Sequence, residues 1–491
     1  MNQYLVRGLL GILTLMVVVN FLIFPPNGEP GGYSYSVLKS SRTDLSTNVL
    51  LNKTDEVYLS SSLDEKLSGG KLKVISIIGT RPETIKMFPI IKMLQEHPDI
   101  SSIVLASGQH QKMVEPLLKT FGIHVDINLN VMVAQQGLTA MTERLVNRIG
   151  KAIEHTKPDW ILVQGDTSTA FIAGLISFYH KIPVGHVEAG LRTYHRYSPF
   201  PEEINRRLLG SLSSIHFSPT TVSSQHLAME GIPASRIHVT GNTVIDALKW
   251  MAEQPPSNAA SALMDAVYTG IADRSKVRIV LVTAHRRENL GEPLTHICNA
   301  ILKLVQTVPD IHVVFPIHLN PAVQQVVRSI LSDNPRIILW DPLDYDVFAY
   351  LMKYVHLVMT DSGGIQEEAT AFSVPILVLR DTTERPEGVS AGMAKLIGTD
   401  QETIFNEGSK MLTDDAYYQT MVRANSPYGD GTAAKIIVDL LLSKTGKFSV
   451  TQVNCRAMMR LWLRLKKKQK SRSPFLRQNQ NGQKSEPSMS C

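Results

Sequence analysis

Short apolar runs rich in β-branched residues alternate with stretches of helical periodicity from about residue 71 onward. Strands that alternate with helices predict a parallel sheet covered by helices on both faces. The alternation stops at about residues 246–275, which are polar and Ala-rich, and then resumes. We therefore predict an α/β fold of two similar halves, residues 71–245 and 276–426, joined by a linker region. The apolar runs are KVISIIGT, SIVLASG, DWILVQGD, PVGHVEAG, IHFSP and IHVTGN, followed by VRIVLVTAH, IHVVFPIH, IILWDPL, HLVMTDSG, VPILVLRD and KLIGTD.

The N-terminal 24 residues contain an apolar run, Leu5–Phe24, whose one charged residue is Arg7. Its length of about 20 residues just suffices to cross a bilayer, so residues 1–24 are predicted to contain a transmembrane helix. A cleaved signal peptide is the alternative. Basic charge before the run predicts single-pass type II membrane localisation with a lumenal or extracytoplasmic body, and a cytoplasmic-facing body is the alternative. Residues 25–70, rich in Ser, Gly, Pro and Asn, are predicted to form a flexible stem.

Basic charge is concentrated at the C-terminus. The chain carries a net charge of +6, but residues 447–491 hold 11 Lys or Arg and one Glu, which leaves 6 − 10 = −4 for the rest. A mildly acidic body argues against a nucleic-acid-binding protein. Residues 427–446 are predicted to form a closing helix, and the basic tail after them is either an amphipathic helix against anionic lipid or solvated. Three cysteines without CxxC spacing predict no structural zinc site.

Charged residues follow the predicted strands of the first half, at the sheet edge where ligands of parallel α/β sheets bind. In GTRPETIK, Arg81 and Lys86 are cations near a predicted helix start, where structure alone has no need of positive charge. They predict an anion site, and two solvated surface charges are the alternative. Asp166, Glu188 and Glu202 are carboxylates near the same edge. Clustered carboxylates suit general acid–base catalysis, although a single Asp there is also explained as a helix cap.

The second half places histidines, a small-residue turn and an arginine after its strands. Small residues at a helix start let backbone N–H groups approach a phosphate, and a carboxylate one turn later reaches ribose hydroxyls. The chain has no GxGxxG, no GxxxxGK[ST] and no clustered metal ligands, so it predicts no dinucleotide, ATP or metal site. The residues are His285, Arg286, His318, Ser362, Gly363, Gly364, Glu368 and Arg385.

Ten motifs in this order resemble the non-hydrolysing UDP-N-acetylglucosamine 2-epimerases, over about residues 71–442. The resemblance implies a GT-B fold, with two Rossmann-like doubly wound sheets around a cleft, and a homodimer. It also implies a reaction that uses no cofactor and no metal, in which UDP-N-acetylglucosamine and UDP are the ligands. The motifs are GTRPETIK, QGDTSTA, HVEAGLRT, SPFPEEINR, GNTVIDAL, TAHRRENLG, PIHLNP, DSGGIQEE, RDTTERPEG and NSPYGDG.

The resemblance implies that UDP is eliminated to give 2-acetamidoglucal and re-added to the other face of C2, which yields UDP-N-acetylmannosamine. Asp166, Glu188, Glu202 and His285 then match the catalytic positions. The substrate-binding positions are Arg81, Lys86, Phe348, Ser362, Gly363, Gly364, Glu368 and Arg385. An activator site for a second substrate molecule is matched by Gln109, Glu202, Arg286 and His318. Lys112 and Gln135 depart from that site's pattern, so activation by substrate is an open expectation.

Three other functions share parts of this pattern. A membrane-tethered GT-B glycosyltransferase would share the SGG turn, Glu368 and Arg385, but would not need the three carboxylates of the first half. A hydrolysing epimerase would release free N-acetylmannosamine. A catalytically silent nucleotide-sugar-binding protein would need the phosphate and ribose contacts alone.

Overall fold

The structure is a computed structural model that describes residues 57–133 and 136–444. The predicted transmembrane helix, most of the predicted stem, Gln135 and the basic tail at 447–491 lie outside the described residues.

The first half contains an eight-stranded sheet in the order β1-β4-β3-β2-β5-β6-β7-β8. Every neighbouring pair is parallel except β1 with β4. Helices cover both faces, so the central strands are apolar on both sides, and all seven residues of the third strand are buried. The strands are β1 Tyr58–Leu59, β2 Leu72–Ile78, β3 Ile100–Ala106, β4 Ile127–Asn128, β5 Trp160–Gln164, β6 Val184–Val187, β7 Ile215–Ser218 and β8 Ile237–Val239.

Seven helices accompany these strands. Most follow a strand directly, so that each strand–helix turn opens at the carboxyl edge of the sheet. They are α1 Leu63–Ser68, α2 Arg81–Glu96, α3 Gln111–Phe121, α4 Leu138–Thr156, α5 Ser168–Tyr179, α6 Glu202–Leu212 and α7 Thr221–Met229.

The second half contains a six-stranded, fully parallel sheet in the order β11-β10-β9-β12-β13-β14. The predicted α/β class with two parallel sheets is thus confirmed. The strands are β9 Arg278–Thr283, β10 Ile311–Pro316, β11 Ile337–Trp340, β12 Val355–Thr360, β13 Ile376–Val378 and β14 Ala394–Leu396. The remaining helices are α8 Thr243–Glu253, α9 Asn258–Val267, α10 Glu292–Thr307, α11 Pro321–Leu331, α12 Tyr345–Met352, α13 Gly363–Glu368, α14 Pro386–Ser390, α15 Gln401–Thr413, α16 Asp415–Val422 and α17 Ala433–Lys444.

The region predicted as a linker, residues 246–275, contains most of α8 and all of α9. Helix α8 contacts α2 of the first half and α12 of the second. The last helix, α17, returns to α2 and α8, and its start is capped by Asp246, whose Oδ1 accepts from the backbone N of Ala434 at 2.9 Å. The connection between the halves is therefore a packed pair of helices.

The end of the predicted stem is folded, which corrects the boundary placed at residue 71. β1 pairs with β4, and Leu63 of α1 is buried. Lys66 Nζ donates to Asp126 Oδ2 at 2.7 Å, and the same buried carboxylate accepts from the backbone N of Val104 at 2.8 Å. Packing and an ion pair thus attach residues 57–70 to the edge formed by β3 and β4.

The predicted membrane localisation is also corrected. In the part of the chain that the structure describes, no helix is both long and apolar enough to cross a bilayer. Helix α4, with 19 residues, is long enough, but it carries charged side chains along its length because one of its faces is exposed. The prediction of a single-pass type II protein is therefore not retained, and the run Leu5–Phe24 on which it rested lies outside the described residues.

Two buried histidines lie opposite each other on adjacent strands of the first sheet. His186 of β6 and His216 of β7 are register partners whose ring centroids are 6.3 Å apart. Burial lowers the pKa of His186 to about 4 and that of His216 to about 3. Since an unfolded histidine has a pKa of about 6.5, the unfolded state binds protons first as the pH falls below that value.

We expect His216→Phe to weaken the loss of stability on acidification. In the wild type, protonation of His216 in the unfolded state should lower the free energy of unfolding by about 2 kcal/mol between roughly pH 7.5 and pH 4.5. His216→Phe has no imidazole, so this part of the loss should be absent. Urea unfolding at the two pH values measures the difference, with His155→Phe on the exposed face of α4 as the control. An unchanged pH dependence in His216→Phe would contradict the assignment.

Candidate active site

Two cavities adjoin in the cleft between the halves. The first, of about 440 Å³, lies between the start of α2 and the carboxyl ends of β9, β10 and β12. The second, of about 800 Å³, lies over the carboxyl ends of β5 and β6. Both are lined by Pro82, Lys86 and Arg385. A ligand with two parts, one in each cavity, would pass between these shared side chains.

Lys86 joins the two cavities because of how α2 begins. Thr80 and Glu83 form a capping box directly after β2, and Glu83 Oε2 accepts from the backbone N of Thr80 at 2.7 Å. Lys86 follows within the next turn, and its Nζ lies 2.5 Å from Glu188 Oε1 and 3.9 Å from Glu367 Oε2. Burial lowers the pKa of Lys86, but Glu188 and Glu367 outweigh that effect, so the net shift is upward.

Glu188 is held in an uncommon backbone conformation after β6. Its φ is +61°, in the left-handed region that favours glycine, while its side chain is buried. Gly190, two residues on at φ +95°, has no room for a side chain, because a Cβ would lie 2.1 Å from the carbonyl oxygen of Ser223. Strain in a buried acidic residue is typical of functional sites.

The Glu188 carboxylate accepts hydrogen bonds from three donors. Oε1 accepts from Lys86 and, at 3.0 Å, from Asn242 Nδ2, while Oε2 accepts from Gln164 Nε2. Burial raises the pKa of Glu188, but the adjacent Lys86 ammonium outweighs it and the pKa is lowered. Glu188 is therefore ionised and able to accept a proton.

Asp166 is the second predicted carboxylate that lines the larger cavity. Arg206 of α6 donates to it, with Nη2 2.5 Å from Oδ2, and Asn205 Nδ2 donates to its backbone oxygen at 3.0 Å. Burial raises the pKa of Asp166, Arg206 opposes this, and the negative charges of Glu188 and Glu202 add to the rise. Two carboxylates with opposite pKa shifts thus border one cavity, a pattern typical of paired acid and base residues.

Glu367 of α13, which was not predicted from the sequence, connects the halves. It is 2% exposed and accepts from Asn242 Nδ2 at 2.9 Å and from Arg385 Nε. Asn242 therefore donates to Glu188 in the first half and to Glu367 in the second. Burial lowers the pKa of Arg385, yet Glu367 and Glu188 raise it above its ordinary value, so Arg385 is a fixed cation at the junction of the cavities.

The smaller cavity combines an apolar end with a carboxyl group, that of Glu368, whose pKa is raised. Phe348 and Tyr345 of α12 line it together with Arg81 and Glu368. Burial, with a further contribution from the charge of Glu367, raises the pKa of Glu368 to about 8. A protonated Glu368 both donates and accepts hydrogen bonds, which suits contact with neutral hydroxyl groups.

His285 is held by a buried aspartate that the sequence analysis did not single out. Asp361 Oδ2 accepts from the backbone N of His285 and of Arg286, both at 2.8 Å. Its Oδ1 lies 3.2 Å from His285 Nδ1. Burial raises the pKa of Asp361, but the interaction with His285 and the backbone donors outweighs it and the pKa is lowered.

The structure brings most of the predicted residues to the cleft. Four border neither cavity: Glu202 begins α6 and acts on Asp166 through its charge, Ser362 precedes α13, Gly363 starts it, and Gln109 accepts from Thr169 Oγ1 at 2.9 Å. The residues that line the first cavity are Arg81, Lys86, His285, His318, Phe348, Gly364, Glu368 and Arg385. The residues that line the second are Lys86, Asp166, Glu188, Arg286 and Arg385.

Two parallel α/β sheets with ion-paired carboxylates on one side of a cleft and fixed cations between its cavities define an enzyme for an anionic, two-part ligand. The family model described as UDP-N-acetylglucosamine 2-epimerase matches residues 92–442. The chain belongs to this family, as the ten motifs predicted.

Curated relatives and solved structures match over the same body. The UDP-N-acetylglucosamine 2-epimerase of Escherichia coli K12 is 46% identical over 370 residues, which are 75% of this chain and 98% of the relative. The Bacillus subtilis enzyme is 44% identical over 376 residues, 77% of this chain and 96% of the relative. The crystal structure of the Neisseria meningitidis UDP-GlcNAc 2-epimerase bound to UDP-GlcNAc matches with a TM-score of 0.66 and 44% sequence identity. The match covers 76% of this chain and 100% of the Neisseria chain.

Proposed function

We propose that the chain catalyses reversible epimerisation at C2 of UDP-N-acetylglucosamine to UDP-N-acetylmannosamine. Membership of the family supports this proposal, as does the site, which supplies cations for a diphosphate and carboxylates for proton transfer at a neighbouring carbon. The observation that carries it is the short ion pair between Lys86 and Glu188 at the junction of the two cavities. At this junction the Lys86 ammonium serves both the departing diphosphate and the carboxylates that transfer protons.

We place the nucleotide in the smaller cavity and the sugar in the larger one, within a GT-B arrangement of the halves. Phe348 and Tyr345 supply an apolar wall for the uracil ring, and Glu368 faces the ribose hydroxyls. The diphosphate then lies at Arg385 and Lys86, which line both cavities. The sugar ring lies over Asp166 and Glu188.

The proposed reaction is an elimination followed by an addition. The C1–O bond breaks with its electron pair remaining on UDP, and the C2 proton passes to a carboxylate, which leaves 2-acetamidoglucal and UDP bound. A carboxylic acid on the opposite face, which carries its proton before the reaction begins, then delivers that proton to C2 as UDP adds back to C1. The two carboxyl groups return to their starting states by exchanging protons with water. Asp166 and Glu188 carry out these transfers, Glu202 acts on Asp166 through its charge, and cations at the diphosphate stabilise the departing charge.

Incubation of the full chain with UDP-N-acetylglucosamine in deuterated water, followed by proton NMR, tests the function. Epimerisation should yield UDP-N-acetylmannosamine and replace the C2 proton by deuterium in both sugars. Release of free N-acetylmannosamine would instead identify a hydrolysing epimerase. An unchanged spectrum would refute the epimerase and leave a binding protein, or a transferase that turns over once an acceptor is added.

Two further expectations stay proposals. The homodimer implied by the family resemblance is tested by light scattering on a sizing column.

Activation by a second substrate molecule is assigned to Gln109, Glu202, Arg286 and His318. The dependence of the rate on UDP-N-acetylmannosamine concentration tests it. This dependence should be sigmoidal and become hyperbolic when UDP-N-acetylglucosamine is added.

A further inference from the structure

Asp361 has an asymmetric set of neighbours. Three donors point at one oxygen, Oδ2: the backbone N of His285, the backbone N of Arg286, and Asn289 Nδ2 at 3.0 Å. Among the described residues Oδ1 forms no well-aligned hydrogen bond, and His285 Nδ1 lies 3.2 Å from it. Because a carboxylate only accepts, it stabilises a proton on Nδ1 of His285.

His318 stacks on His285 but has the opposite arrangement at Nδ1. The ring centroids are 5.5 Å apart with planes at 13°. His318 Nδ1 accepts from the backbone N of Asn320 at 3.1 Å, so it carries a lone pair and the proton of the neutral ring is on Nε2. A positive charge on the His285 ring is therefore stabilised by Asp361. A positive charge on the His318 ring is opposed by the backbone N–H of Asn320, which faces Nδ1.

We infer that Asp361 is a positioning residue that fixes His285 with Nδ1 protonated and makes it, rather than His318, the imidazolium beside the departing diphosphate. The inference rests on the proposed function, because the diphosphate is placed in the cavity that both rings line. In this state Nε2–H of His285 donates a hydrogen bond to the phosphate oxygen that keeps the C1–O electron pair. No proton has to leave the ring, so the step stays balanced.

The other charged groups near His285 are consistent with this role. Arg286 is paired with Glu384, with Nη2 3.7 Å from Oε2, so its charge is partly neutralised. Arg81, Lys86, Glu367 and Glu368 line the same cavity, and the first two add to the positive field that a diphosphate requires.

The substitution Asp361→Asn inverts the hydrogen-bonding pattern at His285. The three donors at Oδ2 require the amide oxygen to lie there, so the amide NH₂ must face His285 Nδ1. A donor at that place forces Nδ1 to accept and moves the ring proton to Nε2. In the serine-protease triad, an Asp→Asn change that stabilises the wrong histidine tautomer lowers kcat about 10⁴-fold. Here we expect kcat to fall at least about 100-fold, with the Kd for UDP within about threefold, because the cations that bind the diphosphate stay in place.

Nitrogen NMR of the full chain labelled with ¹⁵N-histidine reads the tautomer directly, at about pH 8 where imidazoles are neutral. The His285 signals are assigned by their loss in His285→Gln. We expect Nδ1–H in the wild type and Nε2–H in Asp361→Asn, while His318 stays Nε2–H in both. A neutral wild-type His285 whose single ring proton is on Nε2, or a tautomer that Asp361→Asn leaves unchanged, would overturn the inference.

Asn289→Ala is the matched control, because it removes one partner of Asp361 Oδ2 and leaves His285 Nδ1 facing Oδ1. It should lower stability without moving the ring proton, which separates a structural role from tautomer control. The wild-type spectrum needs no substrate and no variant. It therefore decides which ring nitrogen of His285 is protonated even if Asp361→Asn fails to fold or the chain proves inactive as an epimerase.

Discussion

Replacement of Glu188 by glutamine is expected to stop exchange of the C2 proton while UDP still binds. The amide has the shape of the carboxylate and still accepts from Lys86 and Asn242 through its oxygen, but it cannot take up a proton. General acid–base groups contribute about 10²–10⁴-fold to rate, so we expect kcat to fall about 1,000-fold. Deuterium incorporation at C2 measures the chemistry, and calorimetric titration with UDP measures binding, which should stay within about threefold of the wild type.

Glu230→Gln provides a matched control for this experiment. Glu230 pairs with Arg192, with 2.7 Å between Oε2 and Nη2, and borders neither cavity of the cleft. The change therefore removes an ion-paired carboxylate without touching the reaction. If Glu188→Gln and Glu230→Gln reduced deuterium exchange equally, Glu188 would have no special part in proton transfer.

Replacement of Arg385 by lysine is expected to damage both catalysis and nucleotide binding. The guanidinium donates from Nε to Glu367 and from Nη1 to the backbone oxygen of Glu384 at 3.1 Å, and its other N–H groups are kept for a ligand. An ammonium group cannot serve all of these partners from a fixed plane. Loss of one preorganised donor at a developing anion lowers kcat by about 10²–10³. We expect a fall of about 100-fold in kcat and about tenfold weaker UDP binding, measured by steady-state rates and calorimetry.

Arg380→Lys controls for the loss of a partly buried guanidinium in the same loop. Arg380 pairs with Glu288 at 3.1 Å and with Glu384 at 3.4 Å, and it lines neither cavity of the cleft. Replacement of Arg380 by lysine should leave kcat and the Kd for UDP within about twofold of the wild-type values. A wild-type Kd for UDP in Arg385→Lys would place the diphosphate elsewhere.

The two sheets were predictable because central strands such as β2 and β9 have seven and six residues and are apolar on both faces. The apolar run KVISIIGT became β2, and VRIVLVTAH became β9. The strands β1 and β4 were missed because each has two residues, too few to show an alternating pattern. The helices of the linker region were missed because α9 is Ala-rich and polar, which local pattern does not separate from an irregular segment.

The site residues that were missed share one cause: each has a local explanation in the sequence. Asn242 caps α8 through Oδ1, which accepts from the backbone N of Val244, and its bridging Nδ2 is visible only once both halves are folded. Glu367 and Glu368 are adjacent, and the prediction chose Glu368 because it lies one helical turn after Gly364. Asp361 comes directly before the turn at Ser362, Gly363 and Gly364, and the prediction assigned that turn to backbone contacts with a phosphate.

The short strand β1 has a practical consequence for any shortened form of the chain. It covers the outer edge of β4, so that backbone groups of the first sheet which would otherwise face solvent are paired within the chain. A form that starts at Lys71 would expose this edge and leave the Asp126 carboxylate without Lys66. Open edges recruit strands from other molecules, so such a form should self-associate, whereas one that begins before residue 57 should not.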